Sequence, residues 1–152
     1  MNNIKQCYNW DTNILDFNDK YGNHYDLQLR GNKNIIKGSS GTGKTYLYKK
    51  LSKLKQKLNN ISNYDIDNIL LLNKDNLDKL GKTKNKLIII DNADLLLNNN
   101  AIDIINMDDD NRYLIFTRVP LGIEISPNHQ AEFVKEDNKT ILKYRFNVKG
   151  WS

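Results

Sequence analysis

The chain is poor in cross-linking and rigidifying residues. Its one cysteine, Cys7, excludes an internal disulfide. Two prolines, Pro120 and Pro127, bracket a single stretch near the C-terminal third. Alanine is scarce, and arginine appears only at Arg30, Arg112, Arg118 and Arg145, so lysine supplies nearly all of the positive charge. No apolar run approaches the roughly 20 residues of a membrane span, so no membrane partner is expected. The opening Met-Asn-Asn-Ile-Lys-Gln-Cys lacks the apolar core of a signal peptide, and a cytoplasmic location is the expectation. His24 and His129 have no partners at metal-ligand spacing, no Cys/His cluster argues for zinc, and both histidines read as structural. Asp108–Asp110 reads as a solvated turn.

Against that background stands Gly38-Ser39-Ser40-Gly41-Thr42-Gly43-Lys44-Thr45, with Tyr46 next to it. The stretch fits G-x-x-x-x-G-K-[ST] without a mismatch, a pattern whose residue types each have a phosphate-binding reason. Gly38, Gly41 and Gly43 let the backbone take positive φ and approach an anion. The loop N–H groups can form a concave nest, Lys44 reaches the β- and γ-phosphates, and the Thr45 hydroxyl serves Mg²⁺. The flanks agree. Asn34 to Lys37 reads as a short buried strand, and Leu47, Leu51, Leu54 and Leu58 recur at helical spacing until Asn59-Asn60. The helix N-terminus would aim its N–H groups at the same phosphates.

A second acid is needed for the metal. Leu87-Ile-Ile-Ile90 is a fully apolar run ending at Asp91, which suits a strand buried on both faces with a carboxylate at its ligand-facing end. The plainer alternative is an aspartate that ends a strand and caps the next helix. Asn68 to Leu72 reads as another strand, and Arg112 to Arg118 as a third with an apolar centre.

With these residues in view, the chain resembles the P-loop NTPase superfamily over about residues 25 to 118. It is similar to the division with an added strand that includes AAA+, STAND and ABC-type ATPases. The resemblance implies a single α/β domain with a mostly parallel central sheet flanked by helices. N-terminal antiparallel strands (1–33) and a loop followed by a C-terminal β-hairpin (119–152) would flank a nucleotide-binding core (34–118). It implies ATP and Mg²⁺ as ligands, with Asp91 as the Walker B acid. Thr117 and Arg118 would stand where such proteins carry a γ-phosphate sensor. One departure concerns catalysis. Asn92 follows Asp91 where many relatives have a glutamate, and an amide cannot take a proton as a general base, though it can orient the attacking water. Asp94, three residues beyond Asp91, is the candidate substitute, or else a helix cap. An upstream aromatic often stacks on adenine in ABC-type ATPases. Tyr8, Trp10 and Tyr21 are the candidates here, and packing is the plainer role of each.

The functional expectation is an ATP–Mg²⁺-binding protein, a weak ATPase or an ATP-dependent switch. The alternatives are a small kinase, which normally needs an arginine-rich lid, and a nucleic-acid-associated ATPase, which the net charge of +5 allows. A protein partner or a homo-oligomer is compatible with the switch reading.

Overall fold

Leu87-Ile-Ile-Ile90 carries three β-branched residues in four and no polar side chain, a composition that fits a strand packed on both faces. In the computed structural model, which describes residues 5–38, 43–56 and 64–145, this run is a strand with every residue buried. The strands in chain order are β1 (Lys5–Gln6), β2 (Tyr8–Asn9), β3 (Ile14–Asn18), β4 (His24–Gln28), β5 (Lys33–Lys37), β6 (Tyr64–Asp65), β7 (Ile69–Leu72), β8 (Leu87–Ile90), β9 (Arg112–Thr117), β10 (Gln130–Glu136) and β11 (Lys139–Tyr144). The helices are α1 (Lys44–Gln56), α2 (Ala93–Leu96) and α3 (Asn99–Met107).

Nine strands form one sheet in the order β2-β3-β4-β11-β10-β5-β9-β8-β7. β5, β9, β8 and β7 run parallel, β10 joins β5 in parallel, and β11 joins β4 in parallel. The pairs β2–β3, β3–β4 and β10–β11 are antiparallel. The two edges then approach one another. β1 pairs with β6, Cys7 N–H donates to Asp65 O at 3.1 Å, and the Asn68 side-chain amide donates to Tyr8 O at 2.7 Å. The sheet is nearly closed on itself.

This corrects the expected fold class. A mostly parallel central sheet flanked by helices is not what forms. The sheet is mixed and barrel-like, and among the described residues it carries three helices, one of them only four residues long. The physical reason lies in the segments read as additions at the two ends. They supply β2, β3, β4, β10 and β11 and so become the larger part of the sheet. The connections around 73–86 and 118–129 carry no helical period and contribute only short 3-10 turns at Leu77–Lys79 and Pro127–His129.

Alternation along the strands divides the core in two. On one face, Ile36, Leu87, Ile89, Leu114 and Phe116 pack with Leu47 and Leu51 of α1 and with Leu15, Phe17, Tyr25 and Leu27 of the curled N-terminal strands. On the other, Ile35, Ile88, Ile90 and Ile115 pack with Ala93 of α2 and with Ala101 and Ile105 of α3. α1 presents the expected leucine stripe through Leu54, while Leu58 and Asn59-Asn60 lie outside the described residues.

Candidate phosphate-binding site

The four parallel strands bring their C-terminal ends to one edge. Lys37 pairs with Thr117, Ile90 with Ile115, and Leu72 with Ile90. Gly38, Asp91 and Arg118 each follow directly on one of these strand ends, β5, β8 and β9. The helix α1, which starts at Lys44, lies on the sheet face of Ile36 and Phe116.

Two glycines are required by conformation. Gly38 has φ 143° and Gly43 has φ 96°, values that favour glycine. A Cβ at Gly38 would stand 3.2 Å from Lys44 Nζ, and one at Gly43 would stand 3.1 Å from the Tyr25 hydroxyl. Lys44 is buried, and its ammonium lies back against the start of the loop. Burial pushes the ammonium below the usual lysine range, and the Asp91 carboxylate partly restores it. Thr45 Oγ1 donates to Asp91 Oδ1 at 3.4 Å, so the two expected magnesium residues meet although 46 positions separate them. Ser39, Ser40, Gly41 and Thr42 lie outside the described residues.

Tyr46 points elsewhere. Its hydroxyl donates to Asp19 Oδ2 in the turn between β3 and β4, and the Asn23 side-chain amide donates to the same hydroxyl at 3.0 Å. Burial works against the Asp19 carboxylate, but the hydrogen bonds from Tyr46, Asn23 and Tyr21 prevail and hold its pKa at about 2. Tyr25, from the adjacent strand, donates to Gly43 O at 3.0 Å. Burial, with the nearby Tyr46 and Asp19, pushes the Tyr25 phenol up to about 12. The first turn of α1 is thus fastened to the β3–β4 hairpin at two points.

Asn92 is exposed and left-handed, with φ 49° and ψ 48°, and its side chain makes no capping bond to α2. Its backbone carbonyl accepts from Leu95 N and Leu96 N. Asp94 does not stand open to the loop edge. Arg118 Nη2 and Nε donate to Asp94 Oδ2 at 2.9 and 3.2 Å, and the Asp94 side chain is only 9% exposed. Burial opposes that carboxylate, yet the Arg118 hydrogen bonds outweigh it and hold the pKa below the ordinary range. Thr117 is buried at the end of β9, where its hydroxyl donates to Val119 O at 2.7 Å.

The other candidates have structural partners. Tyr8 is fully buried, Trp10 lies under the Arg112 guanidinium at 3.8 Å, and Tyr21 is exposed beside Lys50. Arg30 stacks on Tyr144 at 3.9 Å, so the arginines are spread through the fold rather than gathered in a lid. His24 pairs with Asp16 at 2.9 Å, and Asp108 accepts from Tyr113 and Asn111. No group of three His, Cys, Asp or Glu side chains converges as a metal site among the described residues, and none of their helices is long and apolar enough to cross a membrane.

Sequence reasoning missed Tyr25, which holds the Gly43 carbonyl. The alternation Tyr25, Leu27, Leu29 marks an inward face and could have pointed to Tyr25. The hydrogen bond to Gly43 had no sequence signal, because it depends on how the sheet curls. No protein-family model matches the chain, and no curated protein or solved structure matches it. The resemblance to the P-loop NTPase superfamily is therefore corrected. The motif stands in a mixed, nearly closed sheet with few helices, and no relative extends the likeness beyond the motif and its two flanking elements.

Proposed function

We propose that the protein binds a nucleoside triphosphate, ATP in the first instance, together with Mg²⁺. The observation that carries this reading is the convergence of buried Lys44 with exposed Thr45 and half-buried Asp91 between a strand end and a helix start, with glycines of positive φ at Gly38 and Gly43. Lys44 and the α1 N-terminus would hold phosphate oxygens, and Thr45 with Asp91 would hold the metal. Mg²⁺ would supply charge neutralisation across the phosphate chain. Turnover is slow in this reading. Asn92 cannot act as a base, and Asp94 is committed to Arg118. An ATP-dependent switch is therefore favoured over an efficient hydrolase or a kinase.

Calorimetry tests the reading. Lys44→Ala should reduce ATP–Mg²⁺ affinity by at least about tenfold, the scale of losing one hydrogen bond from a charged group, with an unchanged far-ultraviolet CD spectrum. Asp91→Asn should weaken ATP binding in Mg²⁺ far more than in EDTA. A Lys44→Ala protein that binds like the parent would overturn the assignment. Equal losses in both buffers would reduce Asp91 to a strand-end cap.

A further inference from the structure

Among the described residues, the helices α2 and α3 pack on one face of the sheet without reaching β10 and β11. No residue of either strand belongs to the core beneath those helices among the described residues. A cavity of about 370 Å³ lies there, within the size range of small-molecule sites. Its lining includes Lys37, Gln130, Glu132, Lys143 and Arg145.

Strand alternation places these side chains on one face. Ile35 packs under α2 and α3 and Ile36 packs under α1, so Lys37 shares the face of Ile35. Ala131 packs on the α1 side, so Gln130 and Glu132 point the other way. Lys143 lies directly opposite Glu132. Arg145 N–H donates to Gln130 O at 2.8 Å, and its guanidinium reaches Gln130 Oε1 at 3.4 Å. Three cations and one carboxylate thus line one pocket, and Glu132 and Lys143 are exposed. β5 ends at Lys37, next to Gly38, but the pocket and α1 lie on opposite faces of the sheet.

We propose that this pocket is a second anion site that receives a small phosphomonoester bearing hydroxyl groups, of the sugar-phosphate class. The phosphate dianion is matched by Lys37, Lys143 and Arg145 through charge-assisted hydrogen bonds. Glu132 selects the rest of the ligand. A carboxylate only accepts hydrogen bonds and repels further negative charge, so it disfavours a polyanion and favours a ligand whose remainder donates. A nucleic-acid strand, with phosphates at every step, fits this arrangement poorly. The proposal does not depend on nucleotide binding at the other face.

Two-dimensional amide NMR of the full chain tests it, titrated separately with ribose 5-phosphate, inorganic phosphate, ribose and a short single-stranded oligonucleotide. Ribose 5-phosphate should shift the amides of Lys37, Glu132, Lys143 and Arg145 and bind more tightly than inorganic phosphate, with ribose weaker than both. Lys143→Gln should weaken ribose 5-phosphate binding about tenfold, the scale of losing one hydrogen bond from a charged group. Glu132→Gln should erase the preference over inorganic phosphate while retaining phosphate binding. Both substituted residues are exposed, so the variants keep the fold. Shifts confined to Gly43–Thr45 would overturn the proposal. So would binding indifferent to Lys143→Gln, or an oligonucleotide that binds more tightly than ribose 5-phosphate. Because the two sites report through different amides, a failure here leaves the ATP titrations to be judged independently.

Discussion

Asn92 illustrates a residue chosen by its backbone. Its φ of 49° and ψ of 48° lie in the left-handed region, which Asn tolerates through local hydrogen bonding and which glutamate disfavours. The turn from β8 into α2 therefore selects against the residue that a hydrolytic site would ask for. Asn92→Gly should leave stability nearly unchanged, whereas Asn92→Glu should cost about 1–2 kcal/mol in urea unfolding. For the proposed ATP site, parent turnover should fall well below the ~1–100 s⁻¹ of efficient phosphoryl-transfer enzymes. Asn92→Glu should then raise turnover while lowering stability. Asp94→Asn, which removes the charge facing Arg118, should lower turnover only if Asp94 orients the attacking water. Rapid hydrolysis by the parent, indifferent to both substitutions, would mean that other residues position the water. At this scale the sequence was readable where a motif names its residues. Thr45 and Asp91 were expected to share one site, and their side chains lie within 3.4 Å of one another. The pairing of Asp94 with Arg118 was not expected, because it needs the end of β9 to lie beside α2.

At the scale of elements, apolar period carried most of the information. The runs read as strands at 34–37, 68–72, 87–90 and 112–118 all became strands, with Asn68 and Arg118 just outside them, and the leucine stripe after Lys44 became α1. α3 begins where Asn98 accepts a hydrogen bond from Ala101 N at 2.8 Å, so the Asn98-Asn-Asn100 run reads as a helix start. Asn98→Ala should cost about 1 kcal/mol in chemical denaturation. The fastening of α1 to the β3–β4 turn left no pattern in the sequence, since Asp19, Asn23 and Tyr46 are unremarkable polar residues until the hairpin folds back. Its acid dependence can be measured. The Asp19 carboxylate is held at about 2 in the fold against an unfolded value near 3.8. Its stabilising contribution is present in full above the unfolded value and is lost as pH falls through the folded one. Stability measured from pH 5 down to pH 2 should decline less steeply in Asp19→Asn than in the parent. Parallel declines would show that the Tyr46 contact carries no linkage.

For the whole molecule, the decisive contacts are the least local. The sheet closes because β1 meets β6 and because Arg112 reaches across to β2, donating to the Tyr8 hydroxyl at 2.9 Å while stacking on Trp10. The β1–β6 pairing joins residues 59 positions apart and the Arg112–Tyr8 contact joins residues 104 apart, and neither period nor propensity encodes which strand becomes whose neighbour. The same closure buries phenols, and that has a consequence at high pH. Burial raises Tyr25 to about 12 and raises Tyr113 and Tyr144 further; it also raises Tyr8, against the opposing pull of Arg112. A folded state that holds these protons more tightly than the unfolded chain has their full contribution below the unfolded value near 10, and loses it as pH rises through the folded values. Lys44 and Lys55, lowered by burial, act in the opposite direction but are fewer. The urea midpoint should therefore fall between about pH 10 and pH 12, and tyrosinate absorbance should appear together with loss of the near-ultraviolet CD signal. Tyr25→Phe should make the fall shallower by removing one of the linked protons. A midpoint that holds steady through this range, with tyrosinate forming in a protein that keeps its tertiary signal, would mean that the phenols are reached by solvent and that the sheet is more open than its edge contacts require.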